Sequence, residues 1–417
     1  MKIILLSIGT RGDIEPFIAI GEELYKRGHT VLLSFPAQHA KWVPKSLPFV
    51  PLSPKFIELI ESDAGKTIMG GQAGWYAKVK ALYTLYKEGK SINQILVRQQ
   101  YELLKNENPD IVIHNLKCSY PLVWSIKTSK KSVMISPVPN VIHYNKDMAH
   151  VGFNGDYGQL INRLTYSLAN FGLMKTIKDA SKMLPKEMAV NRGEIIRAIH
   201  DGPLIFTISQ ALFSRPKYWP SHIKVLGYHA QEKTDKNYIN NELEAFLDRH
   251  EKPLFLTFGS MVCQHPERIS KVVLETLSKL KIPTVINTAS GGILKLKEFE
   301  AITLFYFVES IPYEWILKRV YAVVHHGGSG TTHLGLQYGC ATLIIPHIID
   351  QYDWNCLIQD IGAGPKGPSI KKLCMQNLEP LLIDLMTNDF YKSKAKRMAR
   401  QMKNEDLKEE LYQYILA

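Results

Sequence analysis

The sequence predicts an α/β protein with two parallel-sheet domains, and three observations favour this class. A chain of 417 residues is too long for one ordinary hydrophobic core and suits two domains of about 200 residues each. Short apolar, β-rich segments alternate with helical stretches throughout, as in sheets built from βαβ units. A Gly-rich segment at residues 325–332 follows one of these apolar segments, which is a common place for a ligand site in α/β folds.

The first half contains five predicted strands and a well-marked first helix. The helix is predicted over residues 14–27 and ends at Gly28. The apolar opening is interrupted at once by residues 9–13 and lacks a small-residue cleavage site, so we interpret it as a buried strand and not as a signal peptide. The predicted strands lie at residues 2–8, 30–34, 110–114, 132–136 and 204–209.

The second half repeats the pattern after a connecting segment. Residues 215–220 and the polar residues 230–242 have the proline and charge content of an interdomain connection. We therefore predict an acceptor-binding domain over 1–220, a nucleotide-sugar-binding domain over 221–395, and a helix over 396–417 that packs back toward the first domain. Predicted strands lie at residues 253–260, 283–288, 303–307, 321–326 and 342–346.

Composition limits the possible partners and the compartment. Lys and Arg number 51 against 39 Asp and Glu, a formal charge of +12, which favours anionic ligands or an anionic membrane surface. No aromatic-basic nucleic-acid motif appears, so no nucleic-acid partner is predicted. The five cysteines are never in C-x-x-C spacing, which fits a cytoplasmic protein. The basic segment after residue 390 is interpreted as a solvated helix face, with peripheral contact to the inner membrane surface as the alternative.

The Gly-rich segment has the composition of a phosphate site. Its glycines let the backbone approach a ligand closely, and the N–H groups and dipole of the following helix favour an anion. A pyrophosphate fits without a metal or other cofactor, and the chain contains no Asp-x-Asp pair that would hold a divalent cation. The alternative is tight packing alone, with His325 as an ordinary buried histidine.

Two further positions follow predicted strands. Asp350 and Gln351 come after strand 342–346, at the same sheet edge as His325, and together offer donors and acceptors to sugar hydroxyls. Asp13 follows the first strand, where it could accept a proton from a hydroxyl. For both Asp350 and Asp13 the alternative is a helix N-terminus.

These motifs resemble the UDP-glycosyltransferases of glycosyltransferase family 1. The likeness rests on residues 311–315, 322–332 and 350–354, and on the opening 9–16 and the linker 219–228, which are similar to the sterol glucosyltransferase and glycopeptide-antibiotic branches. It covers both halves of the chain. The resemblance implies the GT-B fold, in which two Rossmann-like, doubly wound domains face each other across a cleft.

The resemblance also implies an activity and a site. The activity is inverting, metal-independent transfer of a hexose, glucose in the first instance, from a UDP-sugar co-substrate to a hydroxyl of a small apolar acceptor such as a sterol, terpenoid, polyketide or phenolic. Asp13 would be the catalytic base, Asp350 and Gln351 would hold the sugar, and Ile311 and Pro312 would lie near the nucleobase. The pyrophosphate would bind at Gly259, Ser260, His325, Gly327, Gly328, Ser329, Gly330 and Thr331.

Some positions depart from the family pattern. His333 stands where many members carry the Glu that holds the ribose, which leaves UDP and dTDP both open as donor nucleotides. Ile349 replaces a small residue, and Tyr352 and Asp353 replace a Pro-Phe pair, which leaves the sugar open. Two other functions stay open at this point: a nucleotide-sugar epimerase of the same architecture, and a catalytically silent nucleotide-binding module.

Overall fold

The structure is a computed structural model that describes residues 1–70, 75–153, 155–231, 240–259, 261, 265–289 and 291–417. Its strands are β1 Lys2–Leu6, β2 Thr30–Ser34, β3 Ile111–His114, β4 Lys131–Ser136, β5 Leu204–Phe206, β6 Ile223–Val225, β7 Leu254–Thr257, β8 Thr284–Asn287, β9 Phe305–Val308, β10 Ala322–His325 and β11 Ala341–Ile344. Its α-helices are α1 Arg11–Lys26, α2 Lys55–Glu61, α3 Asp63–Gly70, α4 Trp75–Glu107, α5 Tyr120–Thr128, α6 Gln159–Lys182, α7 Arg192–His200, α8 Asn241–Asp248, α9 Pro266–Lys279, α10 Tyr313–Ile316, α11 Ser329–Gln337, α12 Gln351–Ile361, α13 Met375–Thr387, α14 Asp389–Lys403 and α15 Lys408–Leu416.

The chain divides into two compact units. The first comprises Met1–Gly65, Trp75–Glu232 and Asp406–Ala417, and the second comprises Lys66–Gly74 and Lys233–Glu405. Helix α14 therefore lies in the second unit and α15 in the first. Among the described residues, no helix is both long enough and apolar enough to cross a membrane.

The first unit is built on a parallel sheet of six strands in the order β2-β1-β3-β4-β5-β6. The strand order reverses between β1 and β3, so connections leave these two neighbours toward opposite sides of the sheet. The five predicted strands of this half are confirmed. Strand β6 was missed because it is only three residues long and Lys224 interrupts its apolar character.

The core of the first unit lies under α1 and beside the last helix. The four residues that follow Lys2 in β1 are fully buried, and α1 packs its apolar face on the sheet through Ile14, Phe17 and Ile18. This spacing of three and four residues marks one helix face. Leu411 and Ile415 of α15 belong to the same buried cluster, so the C-terminal segment is part of the core of this unit.

The second unit is built on a parallel sheet of five strands in the order β11-β10-β7-β8-β9. The five strands predicted for this half are confirmed. Here the order reverses between β7 and β10. Two buried clusters belong to this unit, one containing Leu254 and Leu256 of β7 and the other containing Phe255 between them, as expected for a strand buried on both faces.

Candidate active site

Asp13 lies at the carboxyl end of β1, beside the reversal of the first sheet. Helix α1 begins at Arg11 with Thr10 as its N-cap, so Asp13 is the third helical residue and not the N-cap. The backbone N–H of Thr10 donates to Asp13 Oδ2 over 2.9 Å, which is one half of a capping-box interaction. Asp13 therefore lies in the first turn of a helix, as the alternative interpretation expected, and the hydrogen bond from Thr10 also fixes the orientation of its carboxylate.

Gly9 is what allows the carboxylate of Asp13 to occupy this position. Its φ is +142°, a backbone region that L side chains rarely adopt. A Cβ at Gly9 would lie 2.1 Å from Asp13 Oδ2, well inside van der Waals contact. The sequence Gly9-Thr10-Arg11-Gly12-Asp13 thus requires glycine at its first position for a steric reason.

The loop that follows the neighbouring strand β3 supplies a second group of polar side chains at the same reversal. Lys117 Nζ donates to Asp13 Oδ1 over 2.7 Å, and both side chains are partly exposed. Asn115 is buried and donates from Nδ2 to Ser7 Oγ and to the carbonyl of Ile8. Ser7 Oγ in turn donates to the backbone carbonyl of Asp13 over 2.8 Å. Asn115 therefore joins the loop after β1 to the end of β3.

His39 closes the other side of this loop. Its Nε2–H donates to the carbonyl of Gly9 over 2.8 Å, and its ring stacks on Trp42 with centroids 4.8 Å apart. Burial lowers the pKa of His39, although the hydrogen bond to Gly9 and the charge of Asp13 oppose this shift. The neutral imidazole therefore acts as a support for the Gly9 turn. Lys117, Asn115 and His39 were not identified from the sequence.

In the second unit, His325 ends β10 at the reversal of the sheet. The backbone N–H of Gly327 donates to His325 Nδ1 over 3.0 Å, so the neutral ring carries its proton on Nε2. Complete burial lowers the pKa of His325 to about 3. Within the described part of the chain, this buried Nε2 has no hydrogen-bond partner. The site therefore contains a neutral N–H donor that lacks an acceptor.

His326 is packed among the glycines of two loops. A Cβ at Gly328 would lie 2.6 Å from His326 Nε2, and a Cβ at Gly259 would lie 2.9 Å from His326 Cε1. Gly259 also has a positive φ of +58°. Burial, followed by the proximity of His325 and His347, lowers the pKa of His326 well below its usual value. The absence of side chains at Gly328 and Gly259 therefore leaves room for the imidazole of His326.

Helix α11 begins directly after this turn, with Gly328 as N-cap. The first N–H groups of a helix, here those of Gly330 and Thr331 among others, have no acceptor inside the helix. Thr332 Oγ1 donates to the carbonyl of Gly328 over 2.9 Å and secures the first turn. A nine-residue helix therefore presents its positive end at the edge of the sheet beside the donor of His325.

The loop after β11 is tied to the same turn. Asp350 takes the N-cap position of α12, but its side chain makes no capping hydrogen bond. Gln351 is buried, and its Oε1 accepts from the backbone N–H groups of His347 and Ile348 over 2.7 and 3.1 Å. Gly327 has a φ of +96°, and a Cβ there would lie 3.1 Å from the backbone oxygen of Gln351. The carboxamide oxygen of Gln351 thus shapes its own loop, while its NH₂ group, Nε2, donates one hydrogen to Met261 Sδ over 3.4 Å and has a second hydrogen to donate.

His347 is a buried residue of this loop that was not singled out from the sequence. Its Nδ1–H donates to the carbonyl of Ile345 over 2.9 Å, which leaves Nε2 as an acceptor, and burial lowers its pKa to about 4. His347 Nε2 is buried without a hydrogen-bond partner among the residues described. His325 Nε2–H is therefore a hydrogen-bond donor and His347 Nε2 is an acceptor, because the two rings are opposite tautomers.

The remaining predicted residues lie around β7 and β9. Ile311 is buried in an apolar cluster, and Pro312 is the N-cap of the short helix α10. Tyr313 Oη and Thr257 Oγ1 are 2.9 Å apart, which links α10 to the loop that contains Gly259. Ser260 lies outside the described residues. Within the described ranges, no group of three or more His, Cys, Asp or Glu side chains is arranged to hold a metal ion.

Family models match both halves of the chain. Residues 3–122 match the glycosyltransferase family 28 N-terminal domain, and residues 302–417 match the erythromycin biosynthesis protein CIII-like C-terminal domain. Among solved structures, the glycosyltransferase of kitacinnamycin aligns with a TM-score of 0.71 at 15% identity and covers 99% of this chain and 98% of that one. The calicheamicin glycosyltransferase has the same score and coverage at 14% identity. The chain carries a glycosyltransferase domain and has the GT-B fold.

Sequence relatives of this GT-B chain include sterol 3-beta-glucosyltransferases. One from Arabidopsis thaliana is 29% identical over 97% of this chain and 64% of its own length. One from Pichia angusta is 24% identical over 97% of this chain and 32% of its own length. The chain thus spans less than two thirds of these curated relatives. The resemblance to the sterol glucosyltransferase and antibiotic glycosyltransferase branches is confirmed, although the N-terminal model that matches is one of family 28.

Proposed function

We propose that this chain transfers a hexose from a nucleotide diphosphate sugar to a hydroxyl of a small apolar acceptor, with a sterol-like alcohol as the first candidate. The observation that carries the proposal is the edge of the second sheet, where the N-terminus of α11 lies beside the buried His325 Nε2–H, a donor for which the described residues provide no acceptor. A helix N-terminus with a neutral donor suits a diphosphate that gains charge as it leaves.

On the donor side, the proposal assigns one group to each part of the nucleotide sugar. The first-turn N–H groups of α11 and His325 would hold the pyrophosphate. Asp350 and the NH₂ of Gln351 would bind sugar hydroxyls, and His347 Nε2 would accept a hydrogen bond from one of them. Because burial keeps both imidazoles neutral, their hydrogen-bonding roles would not change across the neutral pH range.

On the acceptor side, the proposal assigns the base role to Asp13. Its carboxylate would accept the proton of the acceptor hydroxyl as the oxygen attacks the anomeric carbon and the diphosphate departs. Thr10 and Lys117 already hold the two carboxylate oxygens in one orientation, and a carboxylate has about four lone-pair sites, so it can accept a further hydrogen bond. A single displacement of this kind inverts the anomeric configuration.

The donor and acceptor identities are the finer part of the proposal. Glucose and a sterol acceptor are supported by the names of the Arabidopsis and Pichia relatives, and UDP is proposed from the resemblance of the motifs alone. Metal independence is proposed because α11 and His325 offer the pyrophosphate a seat made of neutral N–H donors.

The first experiment is UDP release from UDP-glucose with a panel of sterol, flavonoid and macrolide alcohols, with EDTA present throughout. Acceptor-dependent release with a β-linked product would support inverting transfer without a metal. Appearance of an epimerised sugar nucleotide without any acceptor would instead identify an epimerase. Tight UDP binding without turnover of any donor and acceptor pair would identify a silent nucleotide-binding module.

Asp13→Asn tests the base, with Glu15→Gln as the matched control in the same helical turn. The Asn side chain keeps the size of Asp13, so α1 should still form, but it cannot accept the proton. We expect kcat to fall by about 10²- to 10⁴-fold while UDP affinity in calorimetry stays unchanged. Loss of UDP affinity in Asp13→Asn, or an equal loss of kcat in Glu15→Gln, would overturn the assignment.

A further inference from the structure

Helix α6 of the first unit carries an exposed apolar stripe that no part of the proposed transfer reaction uses. Leu160 is 87% exposed, and the other members are between 54% and 57% exposed. We call this set the α6 ridge: Leu160, Ile161, Leu164, Leu168 and Phe171. Positions 160, 164, 168 and 171 recur every three or four residues and share one helix face. A monomeric soluble protein rarely leaves so many large apolar side chains together in water.

The opposite face of α6 is accounted for by packing. The helix contacts α4, α5 and α7 of the same unit. Its buried side chains include Tyr166, Ile177 and Ala180, which lie on the face away from the ridge. The ridge is therefore a second apolar face of a helix whose first apolar face is already buried.

The second half of α6 continues the ridge with lysines. Lys175, Lys178 and Lys182 are exposed and follow Phe171 at intervals of four, three and four residues, so they lie on the same face. Only Lys182 has an acidic neighbour on this helix, with Asp179 at 3.9 Å. One face of a single helix thus presents apolar side chains along its first turns and cations along its last turns.

We propose that the α6 ridge and its lysines form a docking surface for an anionic lipid bilayer. Apolar side chains that enter the headgroup boundary, next to lysines that reach lipid phosphates, are the components of an interfacial membrane helix. Aromatic and basic side chains at one interface are a related signature, and the N-terminal half of α4 exposes Tyr76, Tyr83 and Tyr86. This inference does not depend on the proposed transfer activity.

Charge decides between a bilayer and a second copy of this chain. A symmetric pair of α6 helices would bury Lys175 and Lys178 of one copy against the apolar ridge or the lysines of the other, which is costly for unpaired cations. Anionic lipid satisfies the apolar and the basic halves together. The net charge of +12 acts in the same direction.

The basic segment after residue 390 is a weaker candidate for the same role. Lys392 donates from Nζ to the carbonyl of Tyr321 over 2.6 Å and lies over the Tyr321 ring at 5.0 Å. Helix α14 also packs against α11 and β11. At least one lysine of this segment is thus engaged in the packing of the second unit.

Vesicle sedimentation of the whole chain tests the proposal. We expect binding to phosphatidylcholine vesicles that contain one quarter phosphatidylglycerol, weaker binding at 0.5 M salt, and little binding to phosphatidylcholine alone. Leu164→Ser with Phe171→Ser should lower the partition coefficient at least about tenfold, because each methylene that enters the boundary contributes a factor of about four. Lys175→Gln with Lys178→Gln should lower it about fivefold per lysine.

Matched controls remove similar groups elsewhere on the surface. Tyr25→Ser with Ile383→Ser removes two exposed apolar side chains, and Lys271→Gln with Lys396→Gln removes two exposed cations, one of them on α14. Both control pairs should sediment like the unaltered protein. If ridge and control variants lose binding equally, or if the ridge variants bind as well as the unaltered protein, the proposal is wrong.

A spectroscopic variant reports insertion directly. Leu164→Trp should show a blue-shifted emission and quenching by brominated lipids, beyond the response of the native tryptophans, when anionic vesicles are added. Absence of both changes would overturn the proposal. A chain that is dimeric in solution, becomes monomeric in Leu164→Ser with Phe171→Ser, and does not bind vesicles would assign the ridge to a homodimer interface.

Discussion

Gly9→Ala is the substitution for which the structure predicts the largest local effect on the candidate base. The new Cβ would lie 2.1 Å from Asp13 Oδ2, and the backbone would have to keep a φ of +142°. Either the turn or the carboxylate must move, and movement of the carboxylate breaks its hydrogen bond from Thr10. We therefore expect both stability and transfer to suffer.

The size of the effect follows from these two contributions. Backbone strain costs about 1–3 kcal/mol, and loss of a hydrogen bond to a charged group costs about 1.5–3 kcal/mol. The smaller entropy of the unfolded alanine chain offsets about 0.4–1 kcal/mol. The unfolding free energy of the first unit should therefore fall by about 1.5–5.5 kcal/mol.

Gly12→Ala is the matched control, because a Cβ at Gly12 meets nothing within 4 Å. Alanine in a helix is favoured over glycine by up to about 1 kcal/mol, so this variant should be as stable as the unaltered protein or slightly more stable. The urea unfolding of both variants is monitored by circular dichroism and by tryptophan fluorescence, because the two units need not unfold in a single transition. Well below the midpoint, Gly9→Ala should lose kcat to a similar degree as Asp13→Asn. Equal midpoints and equal kcat for Gly9→Ala and Gly12→Ala would refute the described packing of Gly9 against Asp13.

Three further predictions test single contacts. Lys117→Met should lower kcat about 10- to 100-fold without changing UDP affinity, because Asp13 loses an orienting partner, and Lys117→Arg should restore most of it in steady-state kinetics. At position 349, where φ is +37°, Ile349→Gly should be more stable in urea than Ile349→Ala by about 0.5–1 kcal/mol, the reverse of the usual order. Burial lowers the pKa values of His325 and His333 to about 3 and about 4, so below pH 6.5 the unfolded chain binds protons that the folded chain does not. The unfolding free energy should therefore fall as pH drops from about 6.5 toward 4, by up to about 1.4 kcal/mol per pH unit for each histidine. The urea midpoint should fall with it, and a midpoint independent of pH would contradict the buried neutral state.

The strands could be predicted because both sheets are parallel and covered on both faces. Such strands appear in the sequence as continuous apolar segments, of which residues 3–6 are an example. The start of α1 was placed three residues too late because Arg11 and Gly12 carry no apolar signal, and the N-cap is Thr10. Strand β6 lacked the length to give a pattern. These errors concern the first turn of one helix and the shortest strands.

The site could be predicted only where a motif lies in one continuous segment. Asp13 and His325 were identifiable because each follows a strand at the sheet edge. Lys117 lies 104 residues from Asp13 along the chain, and only the pairing of β3 with β1 brings the two together. The glycines were expected to leave room for a ligand, and that stays a prediction. What the structure shows is that Gly328 and Gly259 leave room for the ring of His326.

His333 leads to a last prediction about the donor nucleotide. The resemblance placed it where a ribose-holding Glu is common, but the imidazole is fully buried, its Nδ1–H donates to the carbonyl of Ser329 over 2.7 Å, and its ring lies 5.2 Å from that of Trp354. With Nδ1–H engaged in this way, the neutral ring keeps at most one acceptor atom, Nε2, whereas a carboxylate has two oxygens that can accept from both ribose hydroxyls. UDP and 2′-deoxy-UDP differ only in the 2′-hydroxyl. We expect their affinities to lie within about fivefold of each other, because a hydroxyl left without a buried partner contributes at most about 1 kcal/mol to binding. Calorimetric titration of both ligands measures this ratio, and UDP binding more than about 100-fold tighter would show that another group of the chain has taken over the role of the missing Glu.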